Sequence, residues 1–166
     1  MRTVERFAWI FGIANLILGA ASLFSPFVAQ RKPRGITRVL PRRKNRGLIN
    51  TQPGRLFGGL AAVNPPHSVI HSTLGAAGLA TRRFNGFSRA YMWITGILFA
   101  AMAVMGWSST GLKPGIHKVM GIATDVRGNI LHTLWGAAAL LLAAKPDLGQ
   151  NAAEREFNRT MSEIGV

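Results

Sequence analysis

Cysteine is missing from the chain, which removes disulfides, thiolate metal ligands and a cysteine nucleophile together. Acid is scarce: six Asp and Glu stand against twenty Lys and Arg, a formal net charge of +14. That scarcity takes away the carboxylates that complete most hydrolytic metal sites and most general acid–base pairs. There is no phosphate-binding loop, no Gly-x-Ser-x-Gly and no His-Glu-x-x-His. Intramembrane charge pairs suited to proton or ion coupling are missing as well. No enzyme signature emerges, and a non-catalytic protein is expected.

Charge is also missing from long stretches, and these dominate what is present. A soluble nucleic-acid binder would spread its basic residues over its surface, so no nucleic-acid partner is expected. Four apolar stretches predict helices over about 7–24, 65–80, 90–107 and 126–144. The first is about the length that crosses a bilayer, and its Asn15 argues for a retained helix over a signal peptide. The fold class expected is all-α: an integral membrane bundle of four transmembrane helices. It occupies residues 1–145 and is built as two related pairs. In the first helix Ala8, Gly12, Asn15, Gly19 and Ser22 form a seam of small and polar residues that lets membrane helices approach closely. Gly75, Gly78, Gly96 and Gly136 extend the same packing role to the other helices. Asn15 falls mid-membrane and needs a partner, for which an interhelical hydrogen bond is the simplest.

Residues 29–55 form a polar connection carrying Arg31, Lys32, Arg34, Arg38, Arg42, Arg43, Lys44 and Arg46 with no acidic residue. Pro33, Pro41 and Pro53 argue against a continuous helix there. Such a segment repels itself in isolation, so a partner subunit or anionic lipid is expected to hold it. Two short apolar runs, Leu56 to Val63 and Val119 to Ala123, are too short to span and are expected to dip into the interface. Residues 146–166 form a tail in which Asn151 and Glu154 resemble a capping box. Phe157, Met161 and Ile164 then recur at helical spacing, predicting an amphipathic surface helix.

The most informative stretch is Asn64-Pro-Pro-His67-Ser-Val-Ile-His71, continued by Gly75 and Gly78. Asn64 is a good N-cap and Pro65 suits the first helical position, so His67 and His71 lie one turn apart on one face. The step from Asn64 to His71 and Gly75 is repeated from Asp125 to His132 and Gly136. His71 and His132 therefore sit at one depth, where an imidazole in lipid must be hydrogen-bonded or ligated. Three uses stay open. One is interhelical hydrogen bonding to groups such as Asn15, Thr73, Thr95 or Thr133. Another is axial ligation of haem or chlorophyll by His71 and His132, with His67 as a further candidate. The last is a metal or proton site, which the shortage of carboxylates counts against, so no metal is expected. His67 itself, early in its helix, is expected to be solvated or capping, and His117 to be exposed in a loop.

Several of these elements together, Arg6-Phe7, the glycine-rich first helix, Leu56-Phe57-Gly58, Asn64-x-x-His67-x-x-x-His71, Gly75, Gly78-Leu79, and Asp125 to His132, resemble a bacterial family of small four-helix membrane proteins of unknown function, family 4383. The resemblance implies the four-helix fold and a bacterial location in the inner or a photosynthetic membrane. It carries no activity. The chain departs from the pattern in its longer, more charged basic loop. Three functional readings follow. The first is an accessory subunit of a larger membrane complex, photosynthetic or otherwise energy-converting. The others are a chlorophyll- or haem-binding protein, and a membrane anchor whose basic loop grips a polyanion.

Overall fold

The computed structural model describes residues 3–29, 47–81, 87–145, 156–157 and 159–164. The predicted basic cluster from Arg31 to Arg46, the 82–86 turn and residues 146–155 lie outside them. The chain is mostly helical and repeats one plan twice. The first half runs from α1 (Thr3–Leu23) through a short 3₁₀ turn and the strands β1 (Val28–Ala29), β2 (Gly54–Leu56) and β3 (Ala62–Val63) to α2 (Pro65–Ala80). The second runs from α3 (Phe87–Thr110) through β4 (His117–Val119) and β5 (Ile122–Thr124) to α4 (Val126–Ala144). Residues 156–157 and 159–163 are helical, with Phe157 and Ile164 exposed and Arg159 Nε donating to Glu163 Oε1 at 3.0 Å.

Two helices, α1 with 21 residues and α3 with 24, are long and apolar enough to cross a membrane. Their partners are shorter, 16 residues in α2 and 19 in α4. α2 and α4 begin and end where the sequence places them, because both have strong caps. Asn64 Oδ1 accepts from His67 N at 3.3 Å, and Asp125 Oδ1 from Gly128 N at 2.8 Å. α3 runs three residues further than predicted at each end. Nothing breaks it before Gly111, whose φ of 53° lies in the left-handed region.

Within each half the helices are antiparallel and pressed together through small residues. Gly12 meets Gly78, Leu16 meets Gly75 and Gly19 meets Ser72 in the first pair. Gly96 meets Leu140, Ala100 meets Gly136 and Gly106 meets Asn129 in the second. Contacts between the two pairs are far fewer. Buried positions on α1 are mostly small or polar: Ala8, Gly12, Asn15, Gly19 and Ser22, with Val4 and Phe11. Large aliphatics such as Ile17, Ile97, Val104, Leu134 and Leu141 point outward. This is the reverse of a water-soluble core.

To the mostly helical fold the structure adds five short strands of two or three residues, which the sequence reading did not include. The two apolar runs expected to dip into the interface are the turns of β-hairpins. In β2–β3 and β4–β5 the tips, Phe57-Gly58 and Met120-Gly121, carry positive φ at both residues (47° and 74°; 50° and 83°). In β4–β5 those two residues are the whole loop, the turn that matches strand twist, whereas in β2–β3 they open a longer loop over 57–61. Pairing then satisfies backbone groups that an irregular segment would leave without partners.

Candidate metal centre

The two caps do more than start their helices. Asn64 also accepts from Ala123 N at 3.0 Å and donates through Nδ2 to Gly121 O at 2.8 Å, both on the opposite hairpin. Asp125 Oδ1 reciprocates, accepting from Ala62 N at 3.3 Å. Each cap thus ties its own helix to the other half. Asp125 also faces Arg55, whose Nη1 lies 2.9 Å from Oδ2 as an ion pair without hydrogen-bond alignment. This crossed lashing brings the first turns of α2 and α4 side by side.

His67, His71 and His132 consequently meet. Their ring centroids lie 4.7, 5.5 and 6.1 Å apart, and one nitrogen from each lies within 4.8 Å of the others. His67 is 5% exposed, which corrects the expectation of a solvated or capping residue. The reason is local: β5 folds over the start of α2, and His67 Nδ1 donates to Ala123 O at 3.0 Å. His71 Nδ1 donates to Asn15 Oδ1 at 2.7 Å. Asn15 Nδ2 is itself committed to Phe11 O at 2.8 Å, so Oδ1 is the atom turned to the histidine.

Both bonds fix a tautomer. A carbonyl oxygen can only accept, so the ring proton of each neutral imidazole sits on Nδ1 and leaves Nε2 bare. The two Nε2 atoms nevertheless face each other at 2.9 Å. Two lone pairs do not attract, and the contact requires a cation between them, either a proton or a metal ion. The third ring, His132, is 5% exposed, and its Nδ1 has no hydrogen-bond partner. Phe99 stacks on His71 and His132 with centroids at 5.5 and 5.4 Å. Trp135 packs edge-on against Phe11 at 4.4 Å.

The profile of a family described as a domain of unknown function, DUF4383, matches residues 5–145. The chain belongs to the DUF4383 family. The matched span contains all three histidines, Asn15, both caps and both hairpins of this DUF4383 chain. No curated protein and no solved structure matches it.

The other predicted residues are found as follows. Gly12, Gly19, Gly75, Gly78, Gly96 and Gly136 all lie at helix–helix contacts. Thr133 accepts from Trp107 Nε1 at 3.0 Å, away from the histidines, while Thr73 is exposed. His117 lies on β4, partly exposed, with Nε2 3.3 Å from Lys113 O. Asn129 was missed. It is fully buried, accepts from Thr124 Oγ1 at 2.7 Å and donates to Thr110 Oγ1 at 3.0 Å. Its position one turn before His132 on an apolar helix was the available signal.

Proposed function

We propose that this chain is a four-span membrane protein that holds one transition-metal ion at His67, His71 and His132. The observation that carries the reading is the pair of bare Nε2 atoms at 2.9 Å, each presented by a ring anchored through its other nitrogen. Metal-binding histidines are characteristically anchored in this way. Nitrogens about 2.0–2.1 Å from a tetrahedral ion stand roughly 3.3 Å apart; the His67 and His71 nitrogens stand 2.9 Å apart and the three rings each offer one within 4.8 Å of the others, so side-chain adjustment would seat the ion. Three imidazoles leave the fourth position open to water or another ligand. The outward-facing aliphatics and the two helices of spanning length support the membrane reading, with α2 and α4 as the shorter spans.

A haem or chlorophyll ligated by His71 and His132 finds less support. Phe99 stacks on both rings and occupies the space beside them. An accessory-subunit role is compatible with a metal centre, and the anchor reading rests on basic residues outside those described.

The test is metal content of the full chain extracted in mild detergent, together with its Co(II) absorption. One bound ion per chain is expected. Its d–d band should vanish in His132→Leu, a ring that holds no structural hydrogen bond through Nδ1. A wild-type chain that retains no metal and takes up no Co(II) would make the cation a proton and end the metal reading. A graded result is expected from Asn15→Leu. It removes the acceptor that orients His71 along with the Nδ2 donor to Phe11 O within α1, and touches none of the three rings, so Co(II) affinity should fall about 10–100-fold while one site per chain remains. Unchanged affinity in a competition titration would remove Asn15 from the site.

A further inference from the structure

The pocket beside the histidines lies between α2, α3 and the β4–β5 tip. Among the described residues its polar side chains are those of His67, His71 and His132; the other lining side chains are apolar and include three of the chain's six methionines. No carboxylate lines it among the described residues. Met102 and Met105 are one turn apart on α3 and half-buried, whereas Met120 stands 81% exposed on the hairpin tip. Met120 also holds a left-handed φ of 50°, a conformation costing a non-glycine residue roughly 1–2 kcal/mol. A glycine or asparagine there would avoid most of that cost. Phe57 holds the matching left-handed position in the other hairpin, so the turn sets this φ and the residue type is the informative part.

We propose that the ion this centre selects is Cu(I), and that Met102, Met105 and Met120 form its soft-ligand path of access. The proposal rests on the three-histidine reading above and specifies its metal. Charge favours the monovalent ion. The cost of burying an ion grows with the square of its charge, and a neutral imidazole set offers no anion to offset a dication in an apolar site. Ligand type points the same way. Imidazole accepts zinc, copper, nickel or iron alike, but thioethers select Cu(I). Methionine often fills gaps in cores. That use does not account for a methionine 81% exposed at the mouth of a pocket lined by three histidines.

The experiment is an anaerobic titration of the full chain in detergent with Cu(I), buffered by a chromogenic chelator, on protein preloaded with Co(II). Cu(I) is expected to displace Co(II) at one ion per chain. In Met102→Leu/Met105→Leu/Met120→Leu the Cu(I) affinity should fall at least tenfold, while the Co(II) band and affinity stay within twofold of wild type. Cu(I) affinity unchanged in that variant, or Co(II) that Cu(I) does not displace, overturns the copper assignment and leaves the histidine site standing. A wild type that binds neither ion overturns both. Should the triple variant lose both ions, Met120→Leu decides, because its exposed position keeps the helices intact. A threefold or greater loss of Cu(I) affinity supports the path, and no change overturns it.

Discussion

Asp125→Ala is expected to destabilise the chain by about 3 kcal/mol or more, the largest effect of any single polar substitution in the described residues. Three losses coincide. The α4 cap disappears, which costs about 0.5–2 kcal/mol by itself. The acceptor for Ala62 N on the opposite hairpin goes with it. Arg55, 22% exposed, loses the carboxylate 2.9 Å away, and removing one partner of a buried pair costs about 3–5 kcal/mol because the other charge stays behind. The partial exposure of Arg55 argues for the lower end of that range. Asp125→Asn separates the terms. It keeps an oxygen for Gly128 N and Ala62 N, as Asn64 does in the other half, and surrenders only the ion pair. Thermal unfolding in detergent should therefore rank wild type above Asp125→Asn and Asp125→Asn well above Asp125→Ala. Equal losses for the two variants would mean that the lashing between halves contributes nothing beyond the ion pair. Because that lashing aligns the first turns of α2 and α4, the alanine variant should also bind Co(II) poorly.

The parts of the molecule that could be read from the sequence are those determined by near neighbours. Asn64-Pro65 and Asp125 mark the starts of α2 and α4 because a cap acts within three residues of itself. The equal steps to His71 and His132 reveal the repeat and the shared depth for the same reason. Asn15 advertised its need for a partner, but not which one. Its bond to His71 depends on the register in which α1 lies against α2. The hairpins were hidden because their turns are Phe57-Gly58 and Met120-Gly121, without the Asn-Gly or Asp-Gly that usually marks such a turn. His67 was misjudged by counting its distance from the helix end, since what buries it is β5, a strand from the other half. A metal site was weighed against the lack of carboxylates, and an all-histidine cluster became a candidate only once the three rings were seen together. Clusters of this kind depend on long-range pairing, which local pattern does not carry.

That register rests on glycine, and Gly75→Leu should show it. A Cβ at position 75 would run into the backbone nitrogen and Cα of Leu16 on α1, atoms that no rotamer change can move aside. Overpacking of a close contact costs about 1–3 kcal/mol where side chains can yield, and a backbone obstacle argues for the top of that range. A loss of about 3 kcal/mol corresponds to roughly 6–12 °C in Tm for a chain of this size. Ala76→Leu is the control: it places the same side chain one residue along, on the exposed face of α2, and should change Tm by no more than about 2 °C. Gly136→Leu should repeat the loss in the second pair, where a Cβ would approach Ala100 N at 2.8 Å. The two variants should differ in their effect on the site. Leu16 is next to Asn15, so pushing α1 away from Gly75 draws the Asn15 acceptor off His71 and should lower Co(II) affinity with stability. Gly136 lies one turn beyond His132, whose Nδ1 has no partner to lose, and Gly136→Leu should lower affinity less for a similar loss of Tm. A Gly75→Leu chain that melts with the wild type would mean that α1 and α2 do not touch through these residues. The anchoring of His71 by Asn15, and with it the face-to-face nitrogens, would then fall as well.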